Sequence, residues 1–296
     1  MNRFLSLMQL GRSVIGLNRR NLSCILPNNP RSAFLAVDDK VLAKTLLQAS
    51  GIATPATRMV IDQHAAIGRF LTARAAWPDY ALKPVCGSGG RGFRLGIRQD
   101  DGRWCNHAGR LIDDEDLQFH LASILAGEHS LDGEPDRVLV EELLREDPAI
   151  RSIHGGVGVG DVRVIACHGR PVMAMLRLPT ARSGGAANLH AGGIGVGIDL
   201  ETGRTTFAVS RGCPVNQHPD SGHLLSGIAV PGWDYILTIA SRVNEAFGMG
   251  YLGVDCVLER RGVMVLEVNA RPGLEIQLAN RRGMADALAA AGVPIP

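Results

Sequence analysis

The sequence is poor in lysine. Of its 31 basic residues only Lys40, Lys44 and Lys83 are lysines, and the other 28 are arginines. Coding bias accounts for the imbalance, but where guanidinium is the default cation a surviving ammonium marks a position to question. Net charge is also small, +2 against 29 acids, so no basic field exists to recruit nucleic acid. No stretch approaches the ~18 uncharged apolar residues of a membrane span. The six cysteines, at positions 24, 86, 105, 167, 213 and 256, contain no CxxC pair. That spacing argues against a zinc site or disulfide frame and implies reduced thiols in a cytoplasmic protein. There is no Walker A loop, no HxxxH, no GxSxG nucleophile elbow and no internal repeat.

What is present is an ordinary globular composition. The 296 residues, 46% hydrophobic and 20% charged, suit one large domain or two intimate subdomains. Residues 1–22 carry Phe4, Leu5, Leu7, Met8, Leu10, Val14, Ile15 and Leu17 at helical spacing, with Arg3, Arg12, Arg19 and Arg20 on other faces. Arg12 breaks the apolar stretch and no A-x-A site follows, so a signal peptide is not expected. The arm reads as a helix packed on its own domain or on a dimer partner, with membrane-surface adsorption as the alternative.

Further along, Asp38 or Asp39 caps a helix that stops at Gly51. Strands are expected at Thr57–Ile61, Tyr80–Pro84, Phe93–Ile97, 137–144, 162–167, 172–178, 252–258 and 263–268. Helices are expected at 114–127 and 231–247. Strands and helices mix without strict βαβ alternation, which argues α+β. Twelve of the 36 glycines fall in three clusters, at 87–92, 155–160 and 192–197, each read as a loop between strand-like segments.

Three constellations could carry chemistry. Lys83, in the buried-looking strand Tyr80–Pro84, needs a partner, and Gly87-Ser88-Gly89-Gly90-Arg91-Gly92 after it can offer backbone N–H groups to phosphate oxygens. In the C-terminal hairpin, a three-residue loop Arg260–Gly262 pairs Glu259 with Val263 and places Asp255 opposite Glu267, with Asn269 on the same face. Those oxygen ligands suit Mg²⁺ or Mn²⁺, and the competing reading is that the two carboxylates pair with arginines. Arg163 and Arg177 lie on the two middle strands, where a guanidinium suits phosphate or carboxylate. Exposed backbone groups where Val138–Leu144 ends offer a means of reading adenine.

In chain order stand Lys40, Lys83 with its glycine loop, Glu142, Asp161 and Arg163, Arg177, Asn188, Asp255, and Glu267-x-Asn269. This order resembles the ATP-grasp superfamily from about Asp38 to Gly283. The strings Val37-Asp38-Asp39-Lys40, Gly87–Gly92, Asn188-Leu189-His190-Ala191-Gly192-Gly193 and Glu267–Leu274 carry the resemblance. It is similar in particular to the ribosomal-protein-glutamate-ligase-like branch, the alpha-L-glutamate ligase-related proteins, and also to the sugar-transfer-associated ATP-grasp group. The resemblance implies an α+β ATP-grasp fold, two subdomains gripping ATP, with a truncated N-terminal segment: an arm at 1–37, a first subdomain at 38–136 and a second at 137–296. By the same resemblance Lys40, Lys83 and the loop residues Gly87, Ser88, Gly89, Gly90 and Gly92 meet the phosphates. Glu142, Leu143 and Leu144 meet adenine, and Asp161 the ribose. Arg177 faces the γ-phosphate or acyl phosphate with Asn188 beside it, and Arg271 orients the donor carboxylate. Asp255, Glu267 and Asn269 hold two Mg²⁺. The implied activity joins a carboxylic acid, small molecule or peptide, to an amine through an acyl phosphate. A phosphotransferase acting on a hydroxyl and a non-catalytic ATP-binding partner protein are the competing readings.

Overall fold

The computed structural model describes residues 13–87 and 89–293, so Ser88 and the apolar start of the arm, Phe4 to Leu10, lie outside the described residues. The chain divides into two compact units, one of residues 38–45 and 54–144, the other of 1–37, 46–53 and 145–296.

The smaller unit is a five-stranded antiparallel sheet in the order β1-β5-β2-β3-β4. Its strands are β1 (Thr57–Ile61), β2 (Asp79–Pro84), β3 (Arg94–Arg98), β4 (Trp104–Cys105) and β5 (Val138–Glu141). Helix α1 (Lys40–Ala49) begins in this unit. The Asp39 carboxylate caps it by accepting from the Val41 and Leu42 amides at 2.8 and 3.0 Å. Gly51 (φ +67°) ends the turn that follows. Helices α2 (Ala65–Ala73) and α3 (Asp114–Leu125) cover one face. Phe70, Tyr80, Leu82, Leu117, Leu121, Ile124, Val138 and Val140 form the core there. The expected boundary after residue 136 is moved by β5. That strand is hydrogen-bonded between β1 and β2, so the chain leaves this unit only after Leu144.

The larger unit is a seven-stranded antiparallel sheet in the order β10-β9-β8-β7-β6-β11-β12. These are β6 (Asp161–Cys167), β7 (Arg170–Leu178), β8 (Ile194–Ile198), β9 (Thr205–Ser210), β10 (Cys213–Val215), β11 (Tyr251–Glu259) and β12 (Gly262–Asn269). Helices α4 (Pro148–His154), α5 (Trp233–Phe247), α6 (Ile276–Asn280) and α7 (Met284–Ala290) complete it. The β6–β7 turn is a tight one. Only His168 and Gly169 make it, both at positive φ (49° and 73°), and Arg170 already pairs with Cys167.

Two expectations fail here. The third glycine cluster is not wholly a loop, because Gly195 and Gly197 lie in the fully buried strand β8. A Cβ on Gly197 would come 2.4 Å from the Ala279 carbonyl of α6, so this strand is glycine-rich to let a helix backbone approach. Arg20, expected on a polar face of the arm, is buried instead. Its guanidinium donates to the Pro272 carbonyl at 2.9 Å and, with the Asn29–Tyr251 pairing at 2.8 and 2.9 Å, stitches residues 20–29 to this unit. All six cysteines are free thiols, and no helix among the described residues is long and apolar enough to cross a membrane.

Candidate functional site

In the smaller unit all three lysines of the chain converge on two neighbouring features. Lys83 on β2 and Glu141 on β5 are diagonal neighbours of one face, since Ala81 pairs with Glu141 and Lys83 with Leu139. The Lys83 ammonium lies 2.6 Å from Glu141 Oε2, and Lys44, from α1, takes the other carboxylate oxygen. Lys44 also donates to the Pro55 carbonyl at 2.5 Å. Burial pushes the Glu141 carboxyl up, but Lys83 and Lys44 outweigh it and hold it below its ordinary value. Burial pulls the Lys44 ammonium down, with Glu141 opposing. Lys40 caps the start of the glycine loop by donating to the Gly87 carbonyl and, at 3.4 Å, to that of Val85.

The loop itself needs its glycines. Gly89, Gly90 and Gly92 sit at φ of 67°, 75° and 74°, where a Cβ is strained. Asp136 anchors the loop's entry, its carboxylate accepting from the Cys86 amide at 2.9 and 3.1 Å. Cys86 is consequently no nucleophile: burial, then Asp136 and Asp39, push its thiol up to about 11. At the end of β5 the Glu142 amide donates to Ala56 O at 3.0 Å, and the Leu143 amide to Asp79 Oδ1 at 3.3 Å. Two of the N–H groups expected to read adenine are thus engaged within the protein. Glu141 is the acid that Lys44 and Lys83 pair with, and Glu142 Oε1 accepts from the Ala56 amide at 3.0 Å.

In the larger unit one sheet face carries a row of charges across four strands. Register pairs Asp161 with Arg177, Arg163 with Asp255, and Asp255 with Glu267. The Asp255–Glu267 pairing is as expected, but the route differs. The β11–β12 turn has two residues, with Glu259 opposite Gly262, and a bulge past Cys256–Val265 restores the register. Arg177 grips Asp161 with both arms, Nε to Oδ1 at 2.5 Å and Nη2 to Oδ2 at 2.6 Å, and reaches Asp255 Oδ2 at 2.8 Å. Arg163 grips Asp255 in the same bidentate way, at 2.7 Å to each oxygen. The Asn269 amide donates to Asp255 Oδ2 at 3.2 Å. Burial pushes Asp161 up, with Asp255 reinforcing and Arg177 opposing. For Asp255 the two guanidiniums overcome burial and hold it down. Burial would lower Arg177, but Asp161 and Asp255 hold it above its ordinary value.

The arginine pairing weighed against a metal site therefore exists at Asp255. Three carboxylates, Asp161, Asp255 and Glu267, share this face with the guanidiniums of Arg163 and Arg177. The oxygen donors of Asp255, Glu267 and Asn269 suit a hard divalent cation. Among the described residues no three His, Cys, Asp or Glu side chains cluster closely enough to hold a metal by themselves. Asn188 caps the short turn Leu189–Ala191 through the His190 amide at 3.0 Å. Arg271 stacks on Phe34, its guanidinium carbon 4.5 Å from the ring centroid. Sequence reasoning missed Glu141 and the role of Lys44. The signal for Glu141 was the buried lysine on the adjacent strand, which required an inward-facing acid.

The sequence profile of the sugar-transfer associated ATP-grasp family matches residues 19–292. A "Probable alpha-L-glutamate ligase" of Pasteurella multocida is 24% identical over 257 residues, 87% of this chain and 59% of that protein. A protein of the same description from Mannheimia succiniciproducens is 27% identical over 270 residues, 90% of this chain and 66% of its own length. The chain thus spans 59% to 66% of these relatives. In fold it is similar to a biotin carboxylase–β,γ-ATP complex of Campylobacter jejuni, with TM-score 0.53 and 14% identity over 89% of this chain and 48% of that one.

Proposed function

The chain belongs to the sugar-transfer associated ATP-grasp family, and from that premise we propose that it is an ATP-dependent carboxylate–amine ligase working through an acyl phosphate. The observation that carries the reading is Arg177, clamped by Asp161 and bonded to Asp255 on the charged face of β6, β7, β11 and β12. A guanidinium locked before substrate arrives costs no reorganisation when charge builds on a transferring phosphoryl group.

On this reading Lys40, Lys83 and the loop 87–92 take the ATP phosphates. The strand end Glu142–Leu144 borders the adenine, and Lys44 holds Glu141 so that Lys83 keeps its aim. Asp161 serves as the clamp on Arg177 in place of a ribose contact. Asp255, Glu267 and Asn269 would hold Mg²⁺, which supplies charge neutralisation to the polyphosphate when bound. Arg271, with its guanidinium plane set by Phe34, orients the donor carboxylate, and Asn188 stands by the acyl phosphate. An amine then displaces phosphate, giving the amide, ADP and phosphate. Glutamate is the first acid to try, given the resemblance to glutamate ligases.

The test is ADP release across a panel of amino acids and peptides, with hydroxylamine present. A trapped acyl hydroxamate supports the ligase. A stable phosphorylated product instead identifies a phosphotransferase acting on a hydroxyl, and absence of turnover with retained ATP binding identifies a non-catalytic binder.

A further inference from the structure

Two histidines that the proposed chemistry does not use lie beneath the glycine loop. His120 projects from the buried face of α3, and its Nε2 sits 3.0 Å from the Gly92 carbonyl. A carbonyl only accepts, so Nε2 carries the proton and donates. His129 lies against His120, ring centroids 5.5 Å apart. Ser123 Oγ joins them, donating to the His120 carbonyl at 3.0 Å and lying 3.4 Å from His129 Nε2.

Both hinges of the loop rest on the same surface. A Cβ on Gly87 would come 2.9 Å from Pro84 Cβ and 3.1 Å from the His129 carbonyl; one on Gly92 would come 2.7 Å from Pro84 Cγ and 3.0 Å from His129 Cγ. Pro84 directly follows Lys83. Loop entry, loop exit and the lysine strand are therefore packed on one seat.

We propose that His120 and His129 are positioning residues for the glycine loop: His120 fixes its exit through the Gly92 carbonyl, and His129 with Pro84 forms the seat for both hinge glycines. This rests on the reading of 87–92 as the phosphate-contacting loop. Burial draws His120 down to about 4, so near neutral pH the ring that donates to Gly92 is uncharged. Their proposed effect is on where the loop amides stand when phosphate arrives.

Hydrogen exchange of amides 87–93 in the nucleotide-free protein tests the seat, and titration with Mg·AMPPNP tests its consequence. His120→Phe keeps the ring and removes the donor, so loop exchange should quicken and affinity weaken about fivefold, the worth of one lost hydrogen bond. His120→Gln restores a donor and should recover most of both. Loop exchange unchanged in His120→Phe, or equally fast in His120→Gln, overturns the proposal. Should His120→Phe fail to fold, His129→Ala decides: faster exchange at the Gly92 hinge, where the His129 ring packs, with the rest of the sheet protected upholds the seat, and unaltered exchange there overturns it. Because exchange needs no nucleotide, a wild-type protein that binds no AMPPNP refutes the ligase reading and leaves the seat to be judged separately.

Discussion

The two units solve the same problem, buried charge, with opposite signs. In the smaller one a single carboxylate, Glu141, faces two ammonium groups. In the larger, Asp161, Asp255 and Glu267 face two guanidiniums. Among these side chains ammonium groups outnumber the carboxylate in one cluster and carboxylates outnumber guanidiniums in the other, which suits the polyphosphate and the metal ion proposed for them. The cations differ in kind as well. Guanidinium forks lock both oxygens of a carboxylate in one plane, whereas an ammonium on a flexible stem pivots as its anion moves. A fixed array suits charge that develops in a transition state, and a pivoting one suits a ligand that must enter and leave.

The larger cluster is the more costly to break. Arg177→Met leaves Asp161 without its clamp and removes one of two guanidiniums from Asp255, and removing one partner of a buried pair costs about 3–5 kcal/mol. Urea unfolding should show that loss, and Arg177→Met/Asp161→Asn should recover part of it. A loss below about 1 kcal/mol would mean that the array is solvated and not preorganised.

The lysine cluster separates its two members. Lys44 is the more buried, with 8% of its side chain exposed against 15% for Lys83. Lys44→Met should cost about 2–3 kcal/mol in unfolding, as expected for losing hydrogen bonds to a charged partner. Lys83→Met should cost less stability but weaken Mg·ATP more than Lys44→Met does, as isothermal titration would read. The reverse ranking would exchange their roles.

How legible this was in the sequence follows from the same residues. The charged face of β6, β7, β11 and β12 was readable because a pleat alternates by two. Asp161 and Arg163, then Glu267 and Asn269, announce their shared side once the strands are recognised. The bulge at the hairpin was not readable, because the choice between a three-residue loop and a two-residue turn with a bulge is made by the partner strand. Glu141 and Glu142 adjoin, and only the pairing of β5 with β2 shows which one turns inward. The sequence Ile194-Gly195-Val196-Gly197-Ile198 looked like a loop because glycine is a poor strand former. Its reason lies about eighty positions away, in α6.

That last point gives a contrast within the glycines. Gly197→Ala places a methyl group 2.4 Å from the Ala279 carbonyl, and such overpacking costs about 1–3 kcal/mol. Gly90→Ala has open space around it and is opposed only by its φ of 75°, a penalty of about 1 kcal/mol. In activity the order should invert, since Gly90 belongs to the loop proposed to meet phosphate and Gly197 is scaffold. Equal activity losses at matched stability would argue that the loop does not contact nucleotide.

The smallest effect is a pH dependence in the smaller unit. Burial lowers His120 from 6.5 to about 4, so between those values the unfolded chain binds the proton and the native one does not. Its contribution is intact above pH 6.5 and is lost as the pH falls toward 4. From about pH 7.5 to 6 this amounts to under about 1 kcal/mol. Asp161, which burial holds above its ordinary value, works in the opposite sense, so the measurement is the difference between wild type and His120→Gln. That difference should shrink by just under about 1 kcal/mol on acidification, because the glutamine does not titrate and the variant keeps its stability while the wild type loses some. A difference that stays constant across the range would place His120 in water, free of the Gly92 carbonyl, and would remove the smaller unit's claim to a loop set in place before its ligand arrives.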